Sequence, residues 1–245
     1  MNQQNTSLTT NEPKIIVITG ASKGLGKAIA AQFAAAGNTL LVCARGELQL
    51  YKMMEDILLQ YPQCTIKAIP CDMSVKEEVV AFANWCSQYG VPDIVVNNAG
   101  QFLPGAIHNE EEGLLEQMIQ TNLYSAYNLT RALLPKMMEQ KKGSIFNICS
   151  IASLQAYANG GSYSISKYAL LGFSKNLREE LKPYGIKVCA VMPGAAYTDS
   201  WAGSGVNPQR IMEADDVAKM IYAASQLSPQ AVMEDIVLRP QLGDL

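Results

Sequence analysis

Lys14-Ile15-Ile16-Val17-Ile18-Thr19-Gly20-Ala21-Ser22-Lys23-Gly24-Leu25-Gly26 is the stretch on which the fold turns. Four consecutive β-branched residues, Ile15 to Ile18, suit a strand covered on both faces. Gly20, Gly24 and Gly26 then fall where a chain leaving a strand must turn sharply, lie close to a phosphate and let a helix close onto the strand. The alanine-rich run that follows, 25–36, supplies that helix with side chains small enough to pack tightly on a sheet. A glycine-rich turn between strand and helix reads as a nucleotide site. Its spacing, Gly-x-x-x-Gly-x-Gly, differs from the commoner Gly-x-Gly-x-x-Gly, and it lacks the Lys-Ser/Thr ending of an ATP-binding loop.

Outward from this turn, short apolar runs alternate with longer amphipathic stretches. Strands are expected at 14–19, 39–44, 65–70, 93–97, 143–149, 186–192 and near 235–238, with helices at 25–36, 48–60, 75–89, 110–140, 163–184 and 215–227. The alternation predicts an α/β chain: a doubly wound, Rossmann-like seven-stranded parallel sheet flanked by helices, wound by right-handed crossovers. One domain over 14–245 accounts for the pattern, preceded by a polar tail at 1–13 that reads as mobile. The stretch 194–207 has no clear period and is too long for a tight connection, so it reads as a lid.

Composition narrows the function classes. A net charge of −3 offers no basic field for nucleic acid. The six cysteines contain no C-x-x-C pair and sit mostly in apolar runs, as inert core thiols of a reducing compartment do. His108, the only histidine, has no Cys/His/carboxylate cluster around it, so no metal site is expected and the residue reads as part of a surface loop. No apolar run approaches the roughly 18 residues of a membrane span, and the polar start lacks the apolar core of a secretory leader. The reading is cytoplasmic, with a small-molecule or carrier-borne substrate.

The end of the second strand bears on which dinucleotide fits. An NAD site usually places a carboxylate there for the ribose hydroxyls, whereas this chain has Ala44-Arg45. Arg45 can face a 2′-phosphate with its planar donor fork, and Lys23 can add a second positive charge. Together they favour NADP, in its reduced form NADPH for a reductase, unless both are simply solvated surface cations.

Tyr163-Ser164-Ile165-Ser166-Lys167 sets a phenol and an ammonium four residues apart, on one helical face. A free tyrosine ionises near pH 10, and an adjacent Lys⁺ together with an oxidised nicotinamide is expected to lower that value and make the pair a usable proton donor and acceptor. Tyr-x-x-x-Lys alone is a common accident, so the order of the surrounding motifs decides.

The glycine turn, Asn97-Asn98-Ala99-Gly100 after the fourth strand, Asn122, Ser150 after the fifth strand, Tyr163 with Lys167, and Pro193-Gly194 after the sixth strand resemble, in order and spacing, the short-chain dehydrogenase/reductase family over residues 14 to about 240. The resemblance implies a catalytic tetrad of Asn122, Ser150, Tyr163 and Lys167: Ser150 on the substrate carbonyl oxygen, Tyr163 as proton donor, Lys167 also reaching the nicotinamide ribose, and Asn122 holding a water that links Lys167 to solvent. It implies that Gly20, Ser22, Lys23, Gly24, Leu25 and Gly26 cradle the cofactor with Arg45. Asp72-Met73 would lie at the adenine, Asn98-Ala99-Gly100 along the adenosine ribose, and Pro193, Gly194 and Thr198 beside the nicotinamide. Local alternatives stand for several of these: a backbone-capping hydroxyl for Ser150, a helix distortion for Asn122, an N-cap for Asp72 and a turn for Asn97-Asn98.

The reaction implied is reduction of a ketone or aldehyde, with a 3-oxoacyl thioester as one candidate. The ending Val237-Leu238-Arg239-Pro240-Gln241-Leu242 departs from the glycine-rich ending usual in acyl-carrier reductases. An alcohol or 3-hydroxy acid dehydrogenase working oxidatively, and a non-catalytic NADP(H) sensor, are the rival readings. The resemblance also implies a homodimer or homotetramer built on the helices at 110–140 and 163–184, and Tyr168, Ala169, Leu170, Leu171 and Phe173 are more apolar than one sheet face needs.

Overall fold

The computed structural model describes residues 13–198 and 205–244; residues 1–12 of the expected tail and 199–204 of the expected lid lie outside them. The apolar runs form strands β1 (Ile15–Thr19), β2 (Thr39–Ala44), β3 (Thr65–Pro70), β4 (Ile94–Asn97), β5 (Gly143–Ile148), β6 (Ile186–Pro193), β7 (Ala196–Tyr197), β8 (Met212–Glu213) and β9 (Asp235–Leu238). Seven of them build one all-parallel sheet in the order β3-β2-β1-β4-β5-β6-β9, and β7 pairs with β8 apart from it. The amphipathic stretches form α1 (Gly24–Ala35), α2 (Glu47–Gln60), α3 (Lys76–Cys86), α4 (Leu114–Ile119), α5 (Ser125–Gln140), α6 (Gly161–Leu181) and α7 (Ala214–Ser225). The expected seven-stranded, doubly wound architecture is present.

Continuous apolar strands follow from cover on both faces. The pleat sends Ile16, Ile18, Leu40 and Val42 toward one layer with Ile29 and Phe33 of α1, Leu50 and Ile57 of α2, and Val217 and Ile221 of α7. The intervening Val17, Leu41, Val95 and Ile145 enter the opposite layer with Phe82 of α3, Leu129 and Leu133 of α5, and Leu177 and Leu181 of α6. Each such side chain contributes roughly 1.5–3 kcal/mol on burial. A polar residue on either face of β1 would therefore forfeit a packed contact rather than meet solvent. All six cysteines are buried and free, and His108 is exposed.

Strand order fixes where a site can form. The chain runs outward from β1 through β2 to β3, then returns to place β4 on the other flank of β1. The connections leaving β1 and β4 thus diverge, opening a crevice at the carboxyl ends of these strands.

The expected single helix at 110–140 is instead three pieces: α4, a π-helical turn at Gln120–Tyr124, and α5. Glu110 to Glu112 stay outside it, because Gly113 sits at the N-cap of α4 with φ 85°, a left-handed conformation, and the helix starts four residues later than expected, at Leu114. The π turn carries Asn122, whose side-chain oxygen accepts from the Gln101 amide (2.8 Å) and whose Nδ2 donates to the Gln101 carbonyl (3.1 Å). The bulge thereby ties the helix to the chain leaving β4. Within the expected lid, Ala196 and Tyr197 are paired as β7 against Met212 and Glu213.

Arg178 locks α6 to the sheet edge. Its guanidinium is nearly buried and donates to the Val188 carbonyl of β6 (3.1 Å), to Glu234 and to Asp235 of β9. The buried cation is thereby paired and hydrogen-bonded, the condition under which burial of charge is tolerated.

Candidate active site

The turn after β1 is built for close approach. Gly20 has φ +65°, and a Cβ there would lie 3.0 Å from Ala99 Cα. A Cβ on Gly26 would lie 2.2 Å from the Gly20 carbonyl oxygen and 2.6 Å from Asn98 Nδ2, so no side chain fits. Asn98 Nδ2 donates to the carbonyls of Thr19 (2.8 Å) and Gly20 (3.1 Å), and Thr19 Oγ1 accepts from the amides of Asn98 (3.0 Å) and Ala99 (2.9 Å). Asn98 is therefore a tie across the crevice as well as a turn residue. The first turn of α1 has no side-chain cap and no acidic residue, which leaves its amides free to receive an anion. Ser22, Gly24 and Leu25 line this start, and Thr198 abuts Gly24, where a Cβ would meet the threonine methyl at 3.3 Å.

Lys23 and Arg45 are exposed, and among the described residues neither closes a salt bridge. Asp72 is not a helix N-cap: Val75 holds that position, and the Asp72 carboxylate accepts from the amide (2.9 Å) and hydroxyl (2.7 Å) of Ser74. Burial raises its pKa, but the Ser74 bonds and the Arg45 charge outweigh this and hold it below the usual carboxylate value. Arg45 and Asp72 thus meet at one corner of the crevice. The Met73 side chain is buried with its sulfur 3.6 Å from those of Cys43 and Cys71, so only its backbone can face the crevice. A glycine cradle, an uncapped helix start and two unpaired cations together fit a phosphorylated dinucleotide.

Ser150, Tyr163, Lys167 and Asn122 converge at the carboxyl ends of β4 and β5. Tyr163 is the third residue of α6, which starts two residues before the sequence suggests. Lys167 lies one turn on, with Nζ 5.8 Å from the centre of the Tyr163 ring and donating to the Ile148 carbonyl (2.8 Å). Gly100 lies against both partners: a Cβ there would be 3.1 Å from Asn122 Oδ1 and 3.5 Å from Lys167 Nζ. Asn122 Nδ2 also donates to Ser166 Oγ (2.9 Å), which itself donates to the Tyr163 carbonyl (2.7 Å). Ser150 Oγ accepts from the Ala152 amide (3.1 Å), so the backbone-capping role is present alongside its place beside Tyr163. Pro193 ends β6, and the Gly194 amide donates to the Leu238 carbonyl (2.8 Å), with Ile151 packed nearby.

In the protein without nicotinamide, the tyrosine pKa is governed by burial rather than by Lys167. Burial pushes Tyr163 up to about 12, with the Ser150 hydrogen bond pulling the other way. Burial likewise pulls Lys167 down to about 8, opposed only by the nearby Cys149 thiol and by no carboxylate among the described residues. Desolvation dominates both groups because the spacing that puts them on one helical face also turns that face into the sheet.

Four further residues belong to the same site, Gln101 and Phe102 from the 101–108 segment expected to shape the pocket and Thr19 and Glu110 with no role foreseen from the sequence. Thr19 ties the two crossover loops, Gln101 receives Asn122, Phe102 lies edge-on to Tyr163 with ring centres 4.8 Å apart, and Glu110 binds Ser162. The one local signal for Glu110 is Gly160-Gly161 at the start of a long helix with no capping side chain of its own.

The family model for short chain dehydrogenases matches residues 14–207. The chain is 31% identical over 240 residues to a sepiapterin reductase of Chlorobaculum tepidum, covering 94% of this chain and 98% of the relative, and 32% identical to an uncharacterised oxidoreductase of Staphylococcus aureus, covering 95% and 100%. Among solved structures it is similar to a metagenomic short-chain oxidoreductase in complex with NADP (TM-score 0.81, 29% identity, 93% and 97% covered). It is also similar to an alcohol dehydrogenase of Thermococcus sibiricus complexed with 5-hydroxy-NADP (TM-score 0.85, 26% identity, 94% and 97% covered).

The buried ammonium yields a stability test. The folded pKa of Lys167, about 8, lies below its ordinary 10.5, so the unfolded chain binds more protons between these values and stability rises with pH across that window. Below pH 8 the full penalty, roughly 3 kcal/mol, is present. Lys167→Met is expected to melt several degrees higher than wild type at pH 7, with the advantage shrinking from pH 8 to 10.5. Calorimetry showing a lower melting temperature at pH 7 would mean that the bond to the Ile148 carbonyl outweighs desolvation.

Proposed function

The chain belongs to the short-chain dehydrogenase family, and from that premise we propose that it is an NADPH-dependent oxidoreductase reducing a ketone or aldehyde to the alcohol, with Tyr163 as proton donor. The observation that carries this reading is the buried phenol beside Ser150 and Lys167. Burial raises its pKa and keeps the phenol protonated in the free protein, the form from which a proton can be given.

Bound nicotinamide supplies the hydride that reaches the carbonyl carbon. Ser150 Oγ donates to the carbonyl oxygen and steadies its developing charge, and Tyr163 delivers its proton to that oxygen. Lys167, held by the Ile148 carbonyl, stabilises the tyrosinate left behind and, with Asn122, stands where the proton can be replaced. One carbonyl, one hydride and one proton give one alcohol. The oxidative direction uses the same groups in reverse, with the tyrosinate as base.

Lys23 and Arg45 support the preference for NADPH over NADH, as do the NADP complexes of the similar structures. A 3-oxoacyl thioester remains within the substrate class. Convergence of all four tetrad side chains favours an enzyme over a non-catalytic sensor of the same cofactor. Exposed Tyr124 and Tyr127 at α5, with Ile165 and Tyr168 on α6, support assembly of copies through these helices.

Calorimetry with NADPH and NADH tests the cofactor assignment. Arg45→Ala is expected to weaken NADPH about 10- to 100-fold, the worth of a charge-assisted contact, and to leave NADH unchanged; equal binding of both cofactors by wild type would overturn it. Tyr163→Phe is expected to lower kcat/KM for a carbonyl substrate by about 10²- to 10⁴-fold with NADPH affinity preserved, and near-normal turnover would remove Tyr163 as the acid. Light scattering should give a mass at least twice the 26.6 kDa of one chain, falling in Tyr168→Glu; a wild-type monomer would refute the assembly.

A further inference from the structure

We propose that Glu110 is a positioning residue for catalysis: from the loop between β4 and α4, its carboxylate caps the N-terminus of α6 and holds Tyr163 in place. The inference rests on the reading of Tyr163 as proton donor. Tyr163 lies in the first turn of α6, where backbone amides have no intrahelical partner and fraying begins. The helix brings no cap of its own, since Gly160 at the N-cap offers no side chain and its first turn contains no acidic residue. Glu110 supplies both from outside, accepting from the Ser162 amide (2.8 Å) and the Ser162 hydroxyl (2.5 Å).

The surroundings are cleared for this carboxylate. A Cβ on Gly161 would sit 1.8 Å from Glu110 Oε1, and one on Gly105 would sit 2.7 Å from its Cγ. No cation pairs with Glu110 among the described residues, so its charge is answered by the helix end. Ser162, immediately before the catalytic tyrosine, is buried, so the cap acts on a fixed point.

The same loop meets the catalytic group at two more places. The Gln101 amide donates to Asn122 Oδ1, and Phe102 packs edge-on against Tyr163. The Gly105 amide donates to the Asn159 carbonyl (3.1 Å) just ahead of the helix. Loop 101–110 is thus fastened to the π turn at one end and to α6 at the other, with the tyrosine ring between. Release of Glu110 frees one end and lets the phenol drift from Ser150 and Lys167, which affects proton transfer more than cofactor binding, since the glycine cradle lies on other elements.

The test compares Glu110→Ala with Glu110→Gln, whose amide oxygen still accepts from the Ser162 amide. With NADPH and an aromatic 1,2-diketone as probe, Glu110→Ala is expected to lose about tenfold in kcat, the scale of a lost helix cap, with the NADPH dissociation constant within twofold of wild type. Glu110→Gln should recover most of the loss. Amide hydrogen exchange over 160–166, which needs no turnover, should accelerate in Glu110→Ala alone. Unchanged kcat or unchanged local exchange in Glu110→Ala, an equal loss of NADPH affinity, or failure of Glu110→Gln to recover kcat overturns the proposal. If Tyr163→Phe keeps its turnover, the proton-donor reading fails instead, and the exchange data still report whether the cap exists.

Discussion

One threonine hydroxyl holds the crevice together. The β1 and β4 ladder ends at the Ile18 and Val96 pair, after which the two chains diverge and no strand pairing joins them. Across that gap Thr19 Oγ1 takes two successive amides, and Asn98 returns its side-chain amide to the Thr19 and Gly20 carbonyls. Loss of a buried bond of this kind leaves a polar group stranded at about 1–3 kcal/mol. The geometry on both sides depends on the knot. Gly26 can close under Gly20 because Asn98 Nδ2 fills the space beside it, and two residues past Asn98 the chain lays Gly100 against Asn122 and Lys167. The glycine turn and the cluster of Asn122, Tyr163 and Lys167 are therefore set from one point.

The interior behind the site is polar for a related reason. Asn97 Nδ2 donates to Thr130 Oγ1 (3.0 Å) and Asn147 Oδ1 (2.7 Å), and Asn147 Nδ2 donates to Ser174 Oγ (2.8 Å). The buried face of α6 carries Ser162, Ser164, Ser166 and Ser174 where a purely apolar face would pack as well. Apolar surfaces in contact leave a helix free to settle by small slides, whereas the bonds of Lys167 to the Ile148 carbonyl, of Asn147 to Ser174 and of Arg178 to the Val188 carbonyl fix the register of α6 against β5 and β6. A helix that presents a tyrosine to a reacting carbonyl gains from that fixation, since a small misplacement there costs rate.

Much of this was legible in the chain. Continuous runs such as Ile15 to Ile18 could only be strands covered twice, and glycines at 20, 24 and 26 before an alanine-rich helix could only be a close turn, so the sheet and the cradle followed from local chemistry. The convergence of Asn122, Ser150, Tyr163 and Lys167 was legible from the order of motifs rather than from any one of them. The break in the helix at 110–140 was not, because a π turn has no composition of its own: it arises from Asn122 reaching Gln101, a contact twenty-one residues back. Glu110 was hidden likewise, its partner Ser162 lying fifty-two residues on. The tyrosine's protonation in the free protein was hidden for a different reason. Helical spacing reports which groups are neighbours, while their protonation is decided by how much water the fold removes, and burial outweighed proximity.

Two buried cations on α6 show how the fold divides its tolerance for charge. Lys167 and Arg178 are eleven residues apart, about three turns, and therefore share one helical face. Arg178 is given Glu234, Asp235 and the Val188 carbonyl and serves the architecture. Among the described residues Lys167 is given one carbonyl and no carboxylate, and its pKa falls accordingly. A carboxylate beside Lys167 would relieve that destabilisation and, under the proposed role of Tyr163 as proton donor, would also cancel the positive field at its oxygen. The uncompensated ammonium is thus tolerated at the site for the same reason that it is costly to the fold: in a dry interior its charge is undiminished.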